Sequence, residues 1–264
     1  MTIVQVSDTH IKANDQLAYN KVDTVKALIK CVNHINNLKP KPDFVMFSGD
    51  ITDSGSKEEY KIFKNIVTSL EIPFYIIPGN HDNRDNLRES FKEYGWYKDG
   101  EFLHFSLENF PLRVIGLDSI VLEKPYGALC EKRLNWLDEK LKEFPSKETL
   151  LFVHHPPIEI GIEHIDKLNL SKGSKELKEI FEKNSQVVAL ACGHVHRTTC
   201  SLWGRVLVTT AASSSHQFTL DLKEGAAANF ILEPPSVALH HYNNKRVTTH
   251  VSFIEKFEGP YPLE

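Results

Sequence analysis

The sequence predicts an α/β fold, and three observations carry that expectation. Short, mostly apolar runs at 3–6, 44–47, 73–77, 150–153 and 187–191 read as buried strands. Most of them are separated by stretches with apolar residues at helical spacing. Beyond residue 198 the pattern changes to paired strands around short turns. Neither an internal repeat of constant period nor a low-complexity linker interrupts the chain, so residues 1–264 are expected to form a single domain.

The elements follow in order. The first strand runs to Val6 and ends at Ser7. From about Asn20 to Asn37, Val22, Val25, Leu28, Ile29, Val32 and Ile35 mark an amphipathic helix, stopped by Pro40 and Pro42. After the second strand, Ser56 to Glu59 has capping-box spacing and opens a helix with Tyr60, Phe63, Ile66 and Val67 inward. The third strand breaks at Pro78-Gly79, and a short helix with Leu87 and Phe91 is expected beyond it. Segments 102–107 and 112–117 read as a hairpin, and 121–129 as a loop. Helices are expected over 131–144 and 174–183, with an irregular polar segment at 161–173 that leaves His164 exposed. Hairpins at 198–209 and 236–253 flank a small-residue loop, 211–218, that carries His216. Trp136 and Trp203 are read as packing residues.

Composition sets the outer limits. The 264 residues are 41% hydrophobic and 25% charged, enough for a sizeable core. A formal net charge of -4 argues against sequence-independent nucleic-acid binding, which needs a basic face. No apolar run approaches the ~20 residues of a membrane span. Cys31, Cys130, Cys192 and Cys200 lack paired spacing, and Ile3 to Val6 leaves no stretch for a secretory leader. Reduced thiols and a cytoplasmic location are therefore expected.

The strand ends are the unusual feature. Asp8-Thr9-His10, Gly49-Asp50, Gly79-Asn80-His81-Asp82, His154-His155 and Gly193-His194-Val195-His196 each place potential metal ligands directly after a buried run. Asp8 and His10, two apart in extended backbone, are expected to face one side. His154 and His155, being adjacent, are expected to face opposite sides, so His154 is taken as the ligand and His155 as packed or behind the ligands. Asn80 can offer an amide oxygen without adding charge. Asp53 reads as a loop or capping residue, and Asp118 as structural.

In this order, the motifs resemble the calcineurin-like metallophosphoesterases. The Ser213 to Phe218 stretch and the C-terminal hairpin are similar to the bacterial branch that contains class III cyclic-AMP phosphodiesterases and glycerophosphodiesterases. The resemblance implies a four-layer αββα sandwich, with two mixed β-sheets flanked by helices. It implies one metal on Asp8, His10, Asp50 and His196, and a second on Asn80, His154 and His194, with Asp50 bridging. The ions would be two transition metals drawn from Fe, Mn, Zn or Co, between which softness does not discriminate. His81 would stabilise a phosphate or leaving oxygen, and His216 would point at the substrate, so Asn80, His81 and His216 form the substrate-binding set.

Such a centre implies hydrolysis of a small phosphodiester by attack of a metal-bridging hydroxide. Two divalent ions against two carboxylates and that hydroxide leave a formal charge of about +1 to attract an anionic diester. The leading expectation is hydrolysis of 3′,5′-cyclic AMP to AMP. The alternative is a broader phosphodiesterase acting on glycerophosphodiesters or 2′,3′-cyclic nucleotides. A non-catalytic scaffold with the same fold would be expected to lack ligands, whereas every ligand position here is filled. A homodimer is expected from the resemblance alone.

Overall fold

The computed structural model describes residues 1–97 and 100–263. In its first half, β1 (Thr2–Val6), β2 (Phe44–Ser48) and β3 (Phe74–Ile77) alternate with α1 (Thr24–Asn37) and α2 (Lys57–Val67), and α3 (Arg84–Ser90) follows. Next come β4 (Phe105–Leu107), β5 (Arg113–Leu117), the short β6 (Gly127–Ala128), α4 (Glu131–Glu143) and β7 (Thr149–Val153). The segment expected to be irregular holds a one-turn α5 (Glu163–Asp166) and β8 (Leu170–Lys172) before α6 (Ser174–Lys183). The remainder is β9 (Val187–Cys192), β10 (Thr199–Trp203), β11 (Val206–Thr210), β12 (Gln217–Phe218), β13 (Phe230–Ile231), β14 (Ser236–Asn243) and β15 (Arg246–Phe253).

Two mixed sheets result. The first has the order β15-β14-β1-β2-β3, with β1, β2 and β3 parallel and the C-terminal hairpin antiparallel to β1. The second has the order β10-β11-β9-β7-β5-β4, parallel through its centre and antiparallel at both edges. Strand alternation sends Phe44 and Met46 of β2 between the sheets, and Val45 and Phe47 towards the helices. Three apolar layers follow. Leu28, Val32, Phe63 and Leu87 cover the outside of the first sheet, and Leu134, Leu137, Leu177 and Phe181 the outside of the second. Ile3, Phe44, Met46, Val114, Leu150, Phe152 and Ala191 fill the space between the sheets. This is the expected four-layer arrangement.

Local chemistry explains the boundaries. Ser56 and Glu59 form the capping box at α2. Helix α1 starts later than its apolar pattern suggested, at Thr24, because the Asp23 side chain accepts from Lys26 N and caps it there. Residues before it turn tightly, with Ala18 bridging Val22. The strand expected from 102 begins only at Phe105. Tertiary pairing sets that start, since Phe105 is the first residue opposite a partner, Gly116 of β5.

A polar seam also crosses the inter-sheet layer. Gln5 of β1 donates from Nε2 to Ser48 Oγ at 2.8 Å and to the Cys192 carbonyl at 2.9 Å, and its Oε1 accepts from His240 Nε2 of β14 at 2.9 Å. Buried amides persist only when paired in this way. The seam ties the C-terminal hairpin to the strands that carry the candidate ligands.

Candidate metal centre

The strand ends meet. Backbone hydrogen bonds from Asp8 N to Gly49 O and from His10 N to Asp50 O zip the first two turns together. The β9 turn closes against them, where His194 N donates to both Asp8 carboxylate oxygens at 3.1 Å. The β3 turn docks through His81 N, which donates to Asp50 Oδ1 at 2.8 Å. Gly79 allows this approach, since a Cβ there would collide with the Asp50 carboxylate.

The turns are strained in a telling pattern. Asp8, His10, Asp50, His194 and His196 all have φ between 44° and 70°. That region is uncommon for residues other than glycine, at a cost on the order of 1–3 kcal/mol each, and such strain concentrates at functional sites. It also corrects one expectation. Asp8 and His10 do converge, but by left-handed turn geometry rather than by the alternation of extended backbone.

Asp8, His10 and His196 bring donor atoms within 4.8 Å of one another, as do Asp8, Asp50 and His154, and also His154, His155 and His194. His10 Nε2 and His196 Nε2 lie 3.1 Å apart, and His154 Nε2 is 3.3 Å from Asp50 Oδ2. Second partners fix the ring protons. His154 Nδ1 donates to the Ser48 carbonyl at 2.8 Å and His196 Nδ1 to the His216 carbonyl at 3.2 Å, so a neutral ring presents a bare Nε2 to the centre. Burial pushes His10 and His196 well below the usual imidazole range. With both Nε2 atoms unprotonated, a cation between them would replace the N–H···N hydrogen bond that the metal-free pair can form. The buried Nε2 atoms of His154 and His194 have no hydrogen-bond partner, which fits metal ligands equally well.

The carboxylates draw positive charge into the site. Burial raises Asp8 to about 7, against the attraction of His154. Burial opposes ionisation of Asp50 as well, but His154 and His81 hold it well below the usual carboxylate range. His154 is in turn lifted to about 9 by Asp50, although burial alone would lower it. A donor set of imidazoles, two buried carboxylates and an amide fits a pair of transition-metal ions.

A model of the calcineurin-like phosphoesterases matches residues 1–198. The chain belongs to this family. A protein of Arcobacter nitrofigilis named as a probable glycerophosphodiester phosphodiesterase GpdQ is 57% identical over 264 residues, covering 100% of this chain and 97% of its own. The 3′,5′-cyclic adenosine monophosphate phosphodiesterase CpdA of Escherichia coli is 30% identical over 226 residues, 83% of this chain and 80% of its own. A dimetal phosphatase from Danio rerio shares the fold, with a TM-score of 0.68 at 13% identity over 97% of this chain and 96% of its own. The protein is thus a metal-dependent phosphodiesterase of the calcineurin-like family, with His/Asp clusters compatible with a binuclear centre.

Residues around the phosphoesterase centre depart from expectation at His155 and His164. His155 does not turn away. Strand β7 ends at Val153, so alternation no longer governs, and both imidazoles enter the centre with ring centroids 4.8 Å apart. Asp53 lies in a loop, the first of its two expected places, and is not the cap, a role that Ser56 takes; its carboxylate pairs with Lys12 and lies 3.8 Å from His10 Nδ1. His164 is half-buried rather than exposed, with its ring 5.7 Å from Phe218. Asp118 is structural as expected, gripped by Arg84 at 2.7 Å.

His81 and His216 reach the same region. His81 stands at the mouth, its ring 4.7 Å from that of His10, and its Nδ1 donates to the Asp53 carbonyl at 2.7 Å. His216 is buried, 4.7 Å from the His196 ring, with an unpartnered Nε2. Asp82 had no role assigned from sequence. Its carboxylate accepts from Gly79 N at 2.9 Å, Ile51 N at 3.2 Å and Tyr60 OH at 2.9 Å, clamping the Asp50 and Asn80 turns together. Its place as the fourth residue of Gly79-Asn80-His81-Asp82 was the available signal, since a carboxylate three residues on can close a turn onto Gly79 N.

Proposed function

We propose that this phosphodiesterase hydrolyses glycerophosphodiesters. One observation carries the reading: 57% identity across the whole chain to the protein named as a probable glycerophosphodiester phosphodiesterase, against 30% over part of it to the cyclic-AMP enzyme. The substrate expected first from sequence, 3′,5′-cyclic AMP, is therefore second to the alternative. We read residues 1–264 as one domain, a reading supported by β14 pairing with β1. A cytoplasmic location is supported by four cysteines that are all free.

In this reading Asp8, His10, Asp50 and His196 hold one ion, Asn80, His154 and His194 hold the other, and Asp50 is shared. When bound, the two ions supply a nucleophile at neutral pH and neutralise charge on the reacting phosphoryl group. The protein's own groups do the rest. The His194 amide and the His81 amide hold the Asp8 and Asp50 carboxylates in place and favour their ionised forms, against the burial that raises Asp8. Burial lowers the pKa of His81, but Asp50 together with Asp53 and Asp82 more than offsets it, a balance that favours a ring with a proton on Nε2. With Nδ1 committed to the Asp53 carbonyl, that proton is available to the leaving alcohol. His216, lowered to about 4 by burial, is neutral and offers Nε2 as a hydrogen-bonding group towards the bound diester.

The test is a substrate panel of glycerophosphocholine, glycerophosphoethanolamine, 3′,5′-cyclic AMP, 2′,3′-cyclic AMP and an aryl diester, with defined Mn, Zn or Fe loading. The highest kcat/KM is expected on a glycerophosphodiester. A higher value on 3′,5′-cyclic AMP overturns the assignment and leaves the metal chemistry intact.

A further inference from the structure

The β7 turn contributes more to the centre than a ligand. His155 is fully buried, and its Nε2 lies 3.1 Å from Asn80 Oδ1. An amide oxygen only accepts, so the ring proton is on Nε2 and Nδ1 is a bare acceptor. Ser119 fits that tautomer: its Oγ lies 2.7 Å from His155 Nδ1, to which it donates, and accepts from the His155 backbone N–H at 3.5 Å. Ser119 follows Asp118, which Arg84 grips at 2.7 Å, so the hydroxyl sits on an anchored backbone. On the remaining side Gly127 leaves the room that the ring occupies, since a Cβ there would strike the imidazole.

We propose that His155 is a positioning residue that donates its Nε2 proton to Asn80 and fixes the amide in the orientation that serves the second ion. A carbonyl oxygen has two lone pairs; His155 takes one and leaves the other free to ligate. Asn80 needs such a partner more than the charged ligands do. Its neutral amide is drawn weakly to a cation, and its two ends differ only by a ring-flip-like rotation about the side chain. A group behind a metal ligand of this kind is typically worth 10–100-fold in affinity. The proposal rests on the two-ion reading of the centre and is independent of the substrate.

The test is titration of metal-stripped protein with Mn(II), followed by calorimetry and by metal content after desalting. Wild type is expected to take two equivalents. His155→Ala is expected to weaken the second by roughly 10–100-fold while leaving the first unchanged. His155→Gln, which puts an amide N–H where Nε2 was, should recover most of that loss. Ser119→Ala leaves the ring in place without its support and should show a smaller loss in the same equivalent, which keeps the test alive if His155→Ala folds poorly. A second equivalent unchanged in both alanine variants, or Gln no better than Ala, overturns the proposal alone. A wild type that binds one equivalent overturns the two-ion reading and the proposal with it.

Discussion

His10 Nε2 and His196 Nε2 lie 3.1 Å apart although their residues stand at opposite ends of the matched family region. Neither ring is charged, because burial lowers both. Without an ion one ring can donate to the other, whereas a cation would engage both lone pairs at once, so the centre and its ions are expected to stabilise each other.

Metal removal should therefore lower stability as well as activity. An ion present at 100 times its Kd contributes about 2.7 kcal/mol to the folded state. Thermal unfolding of chelated and Mn-reloaded protein is expected to differ by several degrees, roughly 2–4 °C per kcal/mol for a chain of this size. Identical midpoints would show that the histidines are held without help from a cation.

Asp50 is the ligand expected to serve both ions, and Asn80 the neutral one. Asp50→Ala should abolish binding of both equivalents. Asn80→Asp should keep metal content and lose turnover, because the added carboxylate cancels the roughly one positive charge that attracts the diester. Unchanged turnover in fully loaded Asn80→Asp protein would remove that electrostatic role.

Asp82 carries a structural load beneath the centre. Its carboxylate collects Gly79 N, Ile51 N, Thr52 N and Tyr60 OH. Asp82→Ala leaves those buried donors unpaired, at about 1–3 kcal/mol for each that finds no water. Chemical denaturation should show a loss of at least about 2 kcal/mol, together with weaker metal binding as the Asn80 turn loosens. A variant of wild-type stability would mean that the turns are locked by other contacts.

His240 is expected to make stability fall in mild acid. Burial lowers it to about 4, against about 6.5 in the unfolded chain. The unfolded state then binds the extra proton between these values, so stability is full above pH 6.5 and declines as pH drops towards 4. The contribution is on the order of 2 kcal/mol across that window. His240→Gln should flatten the difference between unfolding curves at pH 7 and pH 5 measured on metal-free protein. Equal slopes for the two proteins would assign the acid sensitivity to other groups.

His81 and His216 are expected to separate binding from chemistry. His81→Ala should lower kcat by roughly 100-fold if its proton goes to the leaving alcohol, with two ions still bound. His216→Ala should raise KM more than it lowers kcat. Steady-state kinetics on metal-replete variants distinguish these outcomes, and loss of an ion in either variant would instead make that histidine a ligand.

Much of this protein is legible in one dimension. The apolar runs that became β1, β2, β3, β7 and β9 are buried on both faces in a stacked pair of sheets, so burial leaves an unbroken signature in the residues themselves. Each run ends in a turn whose proposed ligands, Asp8, His10, Asp50, Asn80, His154, His194 and His196, are written next to the strand that delivers them. The capping box of α2 is likewise complete within four residues.

Tertiary structure alone decided which side His155 faces, what Asp82 clamps, and how Gln5 links His240 to Ser48. Those partners lie far apart in the chain, 75 residues for His155 and Asn80 and 235 for His240 and Gln5. Strands and caps are chosen by nearest neighbours, and their rules can be read along the backbone. A buried polar atom is satisfied by whatever the fold brings to it, and no local pattern encodes that partner.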